Sequence, residues 1–124
     1  MIIDHIGLVV SDFDKSKEFY SRALLPLNIE LVTEEQGWAG YGKYGKPDFW
    51  FGTDENVQSP MHIAFIAENR EAVNQFYEAA ISAGGRDNGK PGIRNIYHPN
   101  YYGAFVIDPD GHNIEAVCHK EENA

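Results

Sequence analysis

This chain of 124 residues repeats one short pattern at a distance of 57 positions. Three features recur at that distance: His5-Ile6 and His62-Ile63, Phe19-Tyr20 and Phe76-Tyr77, and the helix-capping residues Asp12 and Asn69. The shared offset indicates two similar structural units of roughly 60 residues each. A chain of this length folds by default as one domain, so both units are expected to belong to it.

Each unit opens with a strand and continues with a helix. The stretches "DHIGLVV" and "MHIAFIA" alternate with the period of a strand, which leaves one face of each strand apolar. Apolar side chains at helical spacing follow in both units, up to Pro26 in the first and Gly84 in the second. Three strand candidates complete each unit: "NIELVTE", "GWAGYGKY" and "DFWFGT", then the loop-rich "GRDNGKPGIRNIYHP", "YYGAFVID" and "HNIEAVCH".

The order of these elements predicts an α+β domain made of two tandem βαβββ modules. Module one is expected over about 1–52 and module two over about 61–119. Residues 53–60 form the predicted linker, and residues 120–124 form a solvated tail.

Three of the strands carry a metal-ligand side chain on the face that is not apolar: His5, His62 and Glu115. A buried carboxylate without a partner is costly, so something must face Glu115. If the three strands belong to one curved sheet, the side chains converge in its concavity. Two imidazoles and a carboxylate suit Fe, Mn, Zn or Ni as a divalent ion. The alternatives are satisfied strand histidines, an ion pair of Glu115 with a basic residue, or a metal-free hydrogen-bonded cluster.

Composition and charge narrow the classes of function. The net charge of −9 argues against binding to nucleic acid or to an anionic membrane surface. No apolar run is long enough to span a bilayer. The single cysteine, Cys118, excludes an intrachain disulfide, and the first residues lack the pattern of a signal peptide. A cytoplasmic location is therefore the default expectation.

The segment "IYHPNYYG" supplies candidate proton carriers just before a strand. His98 is a candidate base or hydrogen-bond donor, and Tyr101 or Tyr102 is a candidate acid. The alternative is a loop with aromatic packing and a surface histidine. His112, which follows a turn glycine, is expected at the surface.

Aromatic residues are concentrated in module one. The aromatic candidates for a substrate pocket are Trp38, Tyr41, Tyr44, Phe49 and Trp50. Arg94 is a candidate for a group that attracts an anionic substrate. Packing in the hydrophobic core is the alternative for the aromatic residues, and a solvated loop charge is the alternative for Arg94.

The motifs "DHIGLVVSDFDKSKEFY", "MHIAF" and "FVIDPDGHNIEAV" resemble the vicinal oxygen chelate superfamily, and the resemblance covers nearly the whole chain. That superfamily includes glyoxalase I, bleomycin-resistance proteins, fosfomycin-resistance enzymes and extradiol dioxygenases. The resemblance implies that the two modules form a half-barrel around a divalent metal, with the helices outside. It also implies that His5, His62 and Glu115 are the metal ligands.

The resemblance to glyoxalase I is incomplete. Glyoxalase I usually has a fourth protein ligand in the last strand of module one, where this chain has "PDFWFGT". A three-ligand site resembles the dioxygenase and fosfomycin-resistance branches more closely.

Two functions follow from the resemblance. The first is a metal-dependent lyase, isomerase or ring-cleaving dioxygenase acting on a small oxygenated molecule. The second is a bleomycin-resistance-like protein that binds a small molecule without catalysis. A homodimer is expected in either case, because members of the superfamily often pair their modules between chains and a sheet edge needs covering.

Overall fold

The computed structural model of this chain describes residues 3–54 and 60–122. The first unit contains β1 (Ile6–Val10), α1 (Phe13–Leu24), a 3₁₀ turn (Leu25–Leu27), β2 (Glu30–Glu35), β3 (Trp38–Lys43) and β4 (Lys46–Thr53). The second contains β5 (His62–Ile66), α2 (Arg70–Ser82), β6 (Arg86–Ile93), β7 (Tyr102–Ile107) and β8 (Asn113–Cys118). The predicted βαβββ pattern and its repetition are confirmed. Most of the predicted linker and the end of the predicted tail lie outside the described residues.

The strands form two mixed sheets of four strands each, in the orders β1-β4-β3-β2 and β5-β8-β7-β6. The first strand of each module runs parallel to the last, and the other neighbours are antiparallel. The α+β class is therefore confirmed, with two separate sheets among the described residues and no closed barrel. β1 and β5 each lie at a sheet edge.

Both helices begin at the predicted caps. The Asp12 carboxylate accepts a hydrogen bond from the backbone N–H of Lys15 (3.1 Å), and the Asn69 side chain accepts one from the N–H of Ala72 (2.8 Å). α1 gives way to the 3₁₀ turn that contains Pro26. After α2 the chain turns at Gly84, whose φ of +101° is in the region that favours glycine.

The core of module one lies between its sheet and α1 and is largely aromatic. The Tyr20 ring lies 5.0 Å from that of Phe49 and 5.4 Å from that of Phe51, and Tyr41 stacks on Phe51 at 5.5 Å. All four are buried. Phe49 also meets Phe65 of module two edge to face, so the two cores are continuous.

The turn between β7 and β8 fastens the modules together. The Tyr20 hydroxyl of α1 donates to the Asp108 carboxylate, and the N–H of Ser11 donates to Asp110 (3.2 Å). α1 also packs directly against α2. The acidic turn of module two is therefore hydrogen-bonded to α1 and to the residue that follows β1.

His112 is buried, which corrects the expectation that it lies at the surface. The Asp108 carboxylate accepts the N–H of His112 at 2.8 Å and so folds the turn inward. The ring Nδ1 then accepts the N–H of Met61 at 2.9 Å, so His112 ties the turn to the start of β5.

The stretch expected to be rich in loops contains the eight-residue strand β6. Its pairing with β7 is irregular, with register shifts between Asp87 and Gly89 and between Gly89 and Gly92. Glycines and Pro91 weaken the strand signal in the sequence, whereas pairing with β7 stabilises the strand in the fold. Within the described residues, no helix is long and apolar enough to cross a membrane.

Candidate functional site

The open face of module two carries two of the three predicted metal ligands. His62 on β5 and Glu115 on β8 come from parallel neighbouring strands, and Nε2 of His62 lies 2.8 Å from Oε1 of Glu115. The Glu115 side chain is 1% exposed and that of His62 is 53% exposed. The pair therefore joins a buried carboxylate to an imidazole that solvent can reach.

Tyr101 is hydrogen-bonded to the carboxylate of this pair. Its hydroxyl donates to the second carboxylate oxygen, Oε2 of Glu115. A side chain at Gly103 would place its Cβ 3.1 Å from that oxygen and 3.2 Å from the Tyr101 ring, so glycine leaves room for the contact. Burial and then the hydrogen bond to Glu115 raise the pKa of Tyr101 far above its ordinary value, which keeps the phenol protonated.

His5 does not join this pair within one chain. It precedes β1 and is exposed, and its Nδ1 lies 2.8 Å from Oδ1 of Asp4. That hydrogen bond, followed by the Lys46 ammonium 3.5 Å away, holds the pKa of the Asp4 carboxyl below its usual value. Over residues 3–54 and 60–122, no three His, Cys, Asp or Glu side chains are grouped to hold a metal ion.

His62 and Glu115 supply two of the three predicted ligands of a metal site. An imidazole nitrogen and a carboxylate oxygen are the donor types that Fe, Mn, Zn and Ni accept. They lie within contact distance of one another on an open face, and Tyr101 orients the carboxylate in the way that outer-shell groups commonly do. Two donors are fewer than such a site needs, so the set needs a ligand from elsewhere.

The other proton-carrier candidates are separated from Glu115. The Tyr102 hydroxyl donates to Asn74 of α2 at 2.6 Å and so faces the helix. His98 is exposed, and its Nδ1 accepts the N–H of Asn100 at 3.0 Å. His119 adjoins Tyr101, with its ring 5.2 Å from the Tyr101 ring. The alternation of the sequence "HNIEAVCH", continued one residue past β8, puts His119 on the Glu115 face, and this was the available signal for the residue.

Arg94 lies on the same face, but backbone carbonyls of the preceding strand β6 hold its guanidinium. Its guanidinium is 5.5 Å from the centre of the Phe105 ring and donates to the carbonyls of Gly92 (2.9 Å) and Lys90 (2.7 Å). Phe105 pairs with Glu115 across β7 and β8. Arg94 therefore adds positive charge near the pair, with several of its donors already used.

The open face of module one carries a cavity of about 680 Å³. Its lining residues are Asp4, His5, Gly7, Glu35, Gln36, Trp38, Pro47 and Trp50. Trp50, one of the predicted pocket residues, lines this cavity. Phe49 and Tyr41 do not line this cavity: the structure places them on the helix side of the sheet, where they are 3% and 0% exposed. Trp38, also one of the aromatic candidates, shares the cavity with Trp50, whereas Tyr44 is exposed and does not line it.

Comparison with known proteins agrees with this architecture. The model of the Glyoxalase/Bleomycin resistance protein/Dioxygenase superfamily matches residues 2–116. No curated protein is significantly similar in sequence. A solved glyoxalase/bleomycin resistance protein from Albidiferax ferrireducens is 27% identical, with a TM-score of 0.84 over 95% of this chain and 99% of its own.

Two further solved structures show the same fold. A glyoxalase-related enzyme from Fulvimarina pelagi is 20% identical, with a TM-score of 0.73 over 94% of this chain and 86% of its own. A glyoxalase/bleomycin resistance protein/dioxygenase family enzyme from Burkholderia phytofirmans is 17% identical, with the same TM-score over 95% of this chain and 98% of its own.

Proposed function

Because this chain belongs to the glyoxalase/bleomycin resistance protein/dioxygenase superfamily, we propose that it is a metal-dependent enzyme acting on a small oxygenated substrate. The reaction class is that of a lyase, an isomerase or a ring-cleaving dioxygenase. The observation that supports this most directly is the contact between His62 and the buried carboxylate of Glu115 on an open face.

In this proposal the metal ligands are His62 and Glu115 of one chain and His5 of a second copy. His5 is exposed beside an edge strand of module one and is not gathered to the pair in one chain. A homodimer that places module one of one copy against module two of the other would supply the third donor. Members of the superfamily often pair modules in this way, and the two open faces would then form opposite walls of one cleft.

A divalent Fe, Mn, Zn or Ni ion bound there would act as a Lewis acid toward two oxygens of the substrate. The residues of the chain would control orientation and proton supply. Tyr101 holds the Glu115 carboxylate in place, and its raised pKa keeps the hydroxyl protonated as a hydrogen-bond donor to that carboxylate. His98 and His119 are exposed and adjoin one another, and His119 adjoins Tyr101, so both imidazoles could exchange protons with water.

The second candidate function is binding of a small molecule without catalysis. The feature that favours it is the face of module one, where two tryptophans line the cavity beside two carboxylates. A purely sequestering protein has no use for the His62–Glu115 pair, which is why the enzyme is the main proposal.

Metal analysis separates the two functions. The protein is purified without added metal, offered each of the four ions in turn, dialysed and measured by elemental analysis. We expect about one ion per chain, since each copy supplies one complete donor set to the dimer. His62→Ala and Glu115→Gln should lose most of it, because the first removes an imidazole donor and the second replaces a charged oxygen donor with a neutral one. Both should keep a native circular dichroism spectrum, because His62 is half exposed and glutamine has the shape of the buried Glu115 side chain.

His98→Ala is the matched control, since it removes an exposed imidazole outside the proposed ligand set, and it should retain the metal. Less than one ion per ten chains with every metal offered would refute the enzyme. Equal metal content in Glu115→Gln and the unaltered protein would refute the ligand assignment.

A further inference from the structure

The two tryptophans of the module one face lie directly over glycines of neighbouring strands. Trp38 stands opposite Gly52, and Trp50 stands opposite Gly40. A Cβ built on Gly52 would lie 2.5 Å from the Trp38 indole, and one on Gly40 would lie 2.8 Å from that of Trp50. Each indole therefore occupies the space that a side chain on the opposite strand would fill.

This arrangement fixes the position of both rings before any ligand arrives. Gly52 and Gly40 have no side chains, so the indoles lie directly against the backbone. Gly7 of β1 lies beside them, and a Cβ built on it would be 3.6 Å from Trp38. Both tryptophans remain partly exposed and line the cavity. A rigid aromatic surface loses little conformational entropy when it binds a flat partner.

The charge around the indoles is negative on balance. Glu35 and Asp4 line the same cavity, and Lys46 neutralises Asp4 in part at 3.5 Å. The whole chain carries a net charge of −9. An indole face attracts a cation through its quadrupole, and nearby carboxylates strengthen that attraction.

We propose that Trp38 and Trp50, seated on Gly52 and Gly40, form a stacking platform for a planar aromatic cation. The inference names the chemical class that the module one face recognises and so deepens the proposed function, whether the protein transforms the molecule or only holds it. It rests on module one alone, so it stands or fails separately from the metal.

Calorimetric titration tests the platform with three probes of similar shape in buffer containing a chelator. The probes are N-methylquinolinium, neutral quinoline and anionic quinoline-4-carboxylate at pH 8. We expect the cation to bind about tenfold more tightly than quinoline, the scale of a partly desolvated cation–π contact, and the anion to bind most weakly. The indole N–H signals of Trp38 and Trp50, the two tryptophans of the chain, should both shift in NMR when the cation binds.

Four variants locate the site. Trp50→Leu removes one ring, and Gly40→Ala leaves the ring present but pushes it from its seat, so both should weaken cation binding about tenfold. Glu35→Gln should weaken it about threefold. Glu34→Gln removes the same charge one residue away on the opposite face, where Glu34 pairs with Lys17, and should leave the affinity unchanged.

The alternative is that the indoles only cover the glycines, as aromatic side chains do elsewhere in sheets. In that case Trp50→Leu lowers the melting temperature without changing the affinity for the cation, which would overturn the proposal. Equal affinity for the cation and the anion, or no detectable binding at millimolar probe, would overturn it as well. If the cation still binds in the presence of the chelator and to the Glu115→Gln variant, the platform belongs to module one, even if the protein holds no metal.

Discussion

At the scale of single residues, alternation along the strands predicted which side chains share a face. It placed His62 and Glu115 together, and the structure brings them to 2.8 Å. It did not reveal that Tyr101 holds the other carboxylate oxygen, because that contact depends on how the preceding loop returns. His112 was misjudged for the same reason: its burial depends on backbone hydrogen bonds inside the turn.

The Tyr20–Asp108 hydrogen bond gives a prediction at this scale. Tyr20→Phe removes a buried donor to a carboxylate and should lower the free energy of unfolding by about 2 kcal/mol. Tyr41→Phe is the matched control, since its hydroxyl contacts the neutral Ser21 at 2.8 Å, and it should cost about 1 kcal/mol. Urea denaturation measures both, and a smaller loss for Tyr20→Phe than for Tyr41→Phe would contradict the prediction.

The same variant predicts a change at alkaline pH. Burial, followed by the Asp108 charge, raises the pKa of Tyr20 well above its ordinary value. The folded state therefore favours the protonated phenol, so its stability is full below pH about 10 and falls as the pH rises toward the folded-state pKa. Tyr20→Phe lacks this group, so its free energy of unfolding should fall less steeply above pH 10. Parallel slopes for the two proteins would contradict this account.

At the scale of elements, helix caps and apolar spacing carried most of the information. α1 and α2 begin at the predicted residues because Asp12 and Asn69 satisfy backbone N–H groups locally. β6 was harder to predict, because glycines and Pro91 hide a strand that exists through pairing with β7. Local signals therefore predict the helices, and long-range pairing decides this strand.

The caps give a prediction at the element scale. Asp12→Ala and Asn69→Ala each leave a backbone N–H of the first turn without its acceptor and should cost about 1 kcal/mol. Asp14→Ala is the control for α1, because that carboxylate acts on the helix dipole without capping it, and should cost about 0.5 kcal/mol or less. Thermal unfolding measures all three, and equal effects of Asp12→Ala and Asp14→Ala would refute the role of the cap.

At the scale of the whole molecule, the repeat predicted two modules but not how they meet. In the described residues the modules join through α1, α2 and the β7–β8 turn, and the two sheets remain separate. No local pattern in the sequence distinguishes one shared sheet from two separate sheets, because both arrangements bury the same apolar faces of the strands. His5 consequently lies apart from His62 and Glu115, although their positions in the repeat suggested one site.

Mixing two variants that each fail to bind the metal tests whether a dimer brings His5 of one copy to His62 and Glu115 of the other. Neither His5→Ala nor Glu115→Gln alone should hold the metal. If each site takes His5 from one copy and His62 with Glu115 from the other, a mixed dimer contains one doubly altered site and one intact site. An equal mixture that exchanges subunits freely should then regain about a quarter of the metal content of the unaltered protein, since half of the dimers are mixed.

The matched control is a mixture of His62→Ala with Glu115→Gln. Both changes fall on module two, so every site in that mixture keeps one defect and no metal should return. Elemental analysis after exchange, with sedimentation to establish the dimer, distinguishes the cases. A stable monomer at micromolar concentration, or no recovery in the first mixture despite subunit exchange, would refute the shared site. Recovery in the second mixture would show that His62 and Glu115 do not serve the same metal, because the pair would then be divisible between copies.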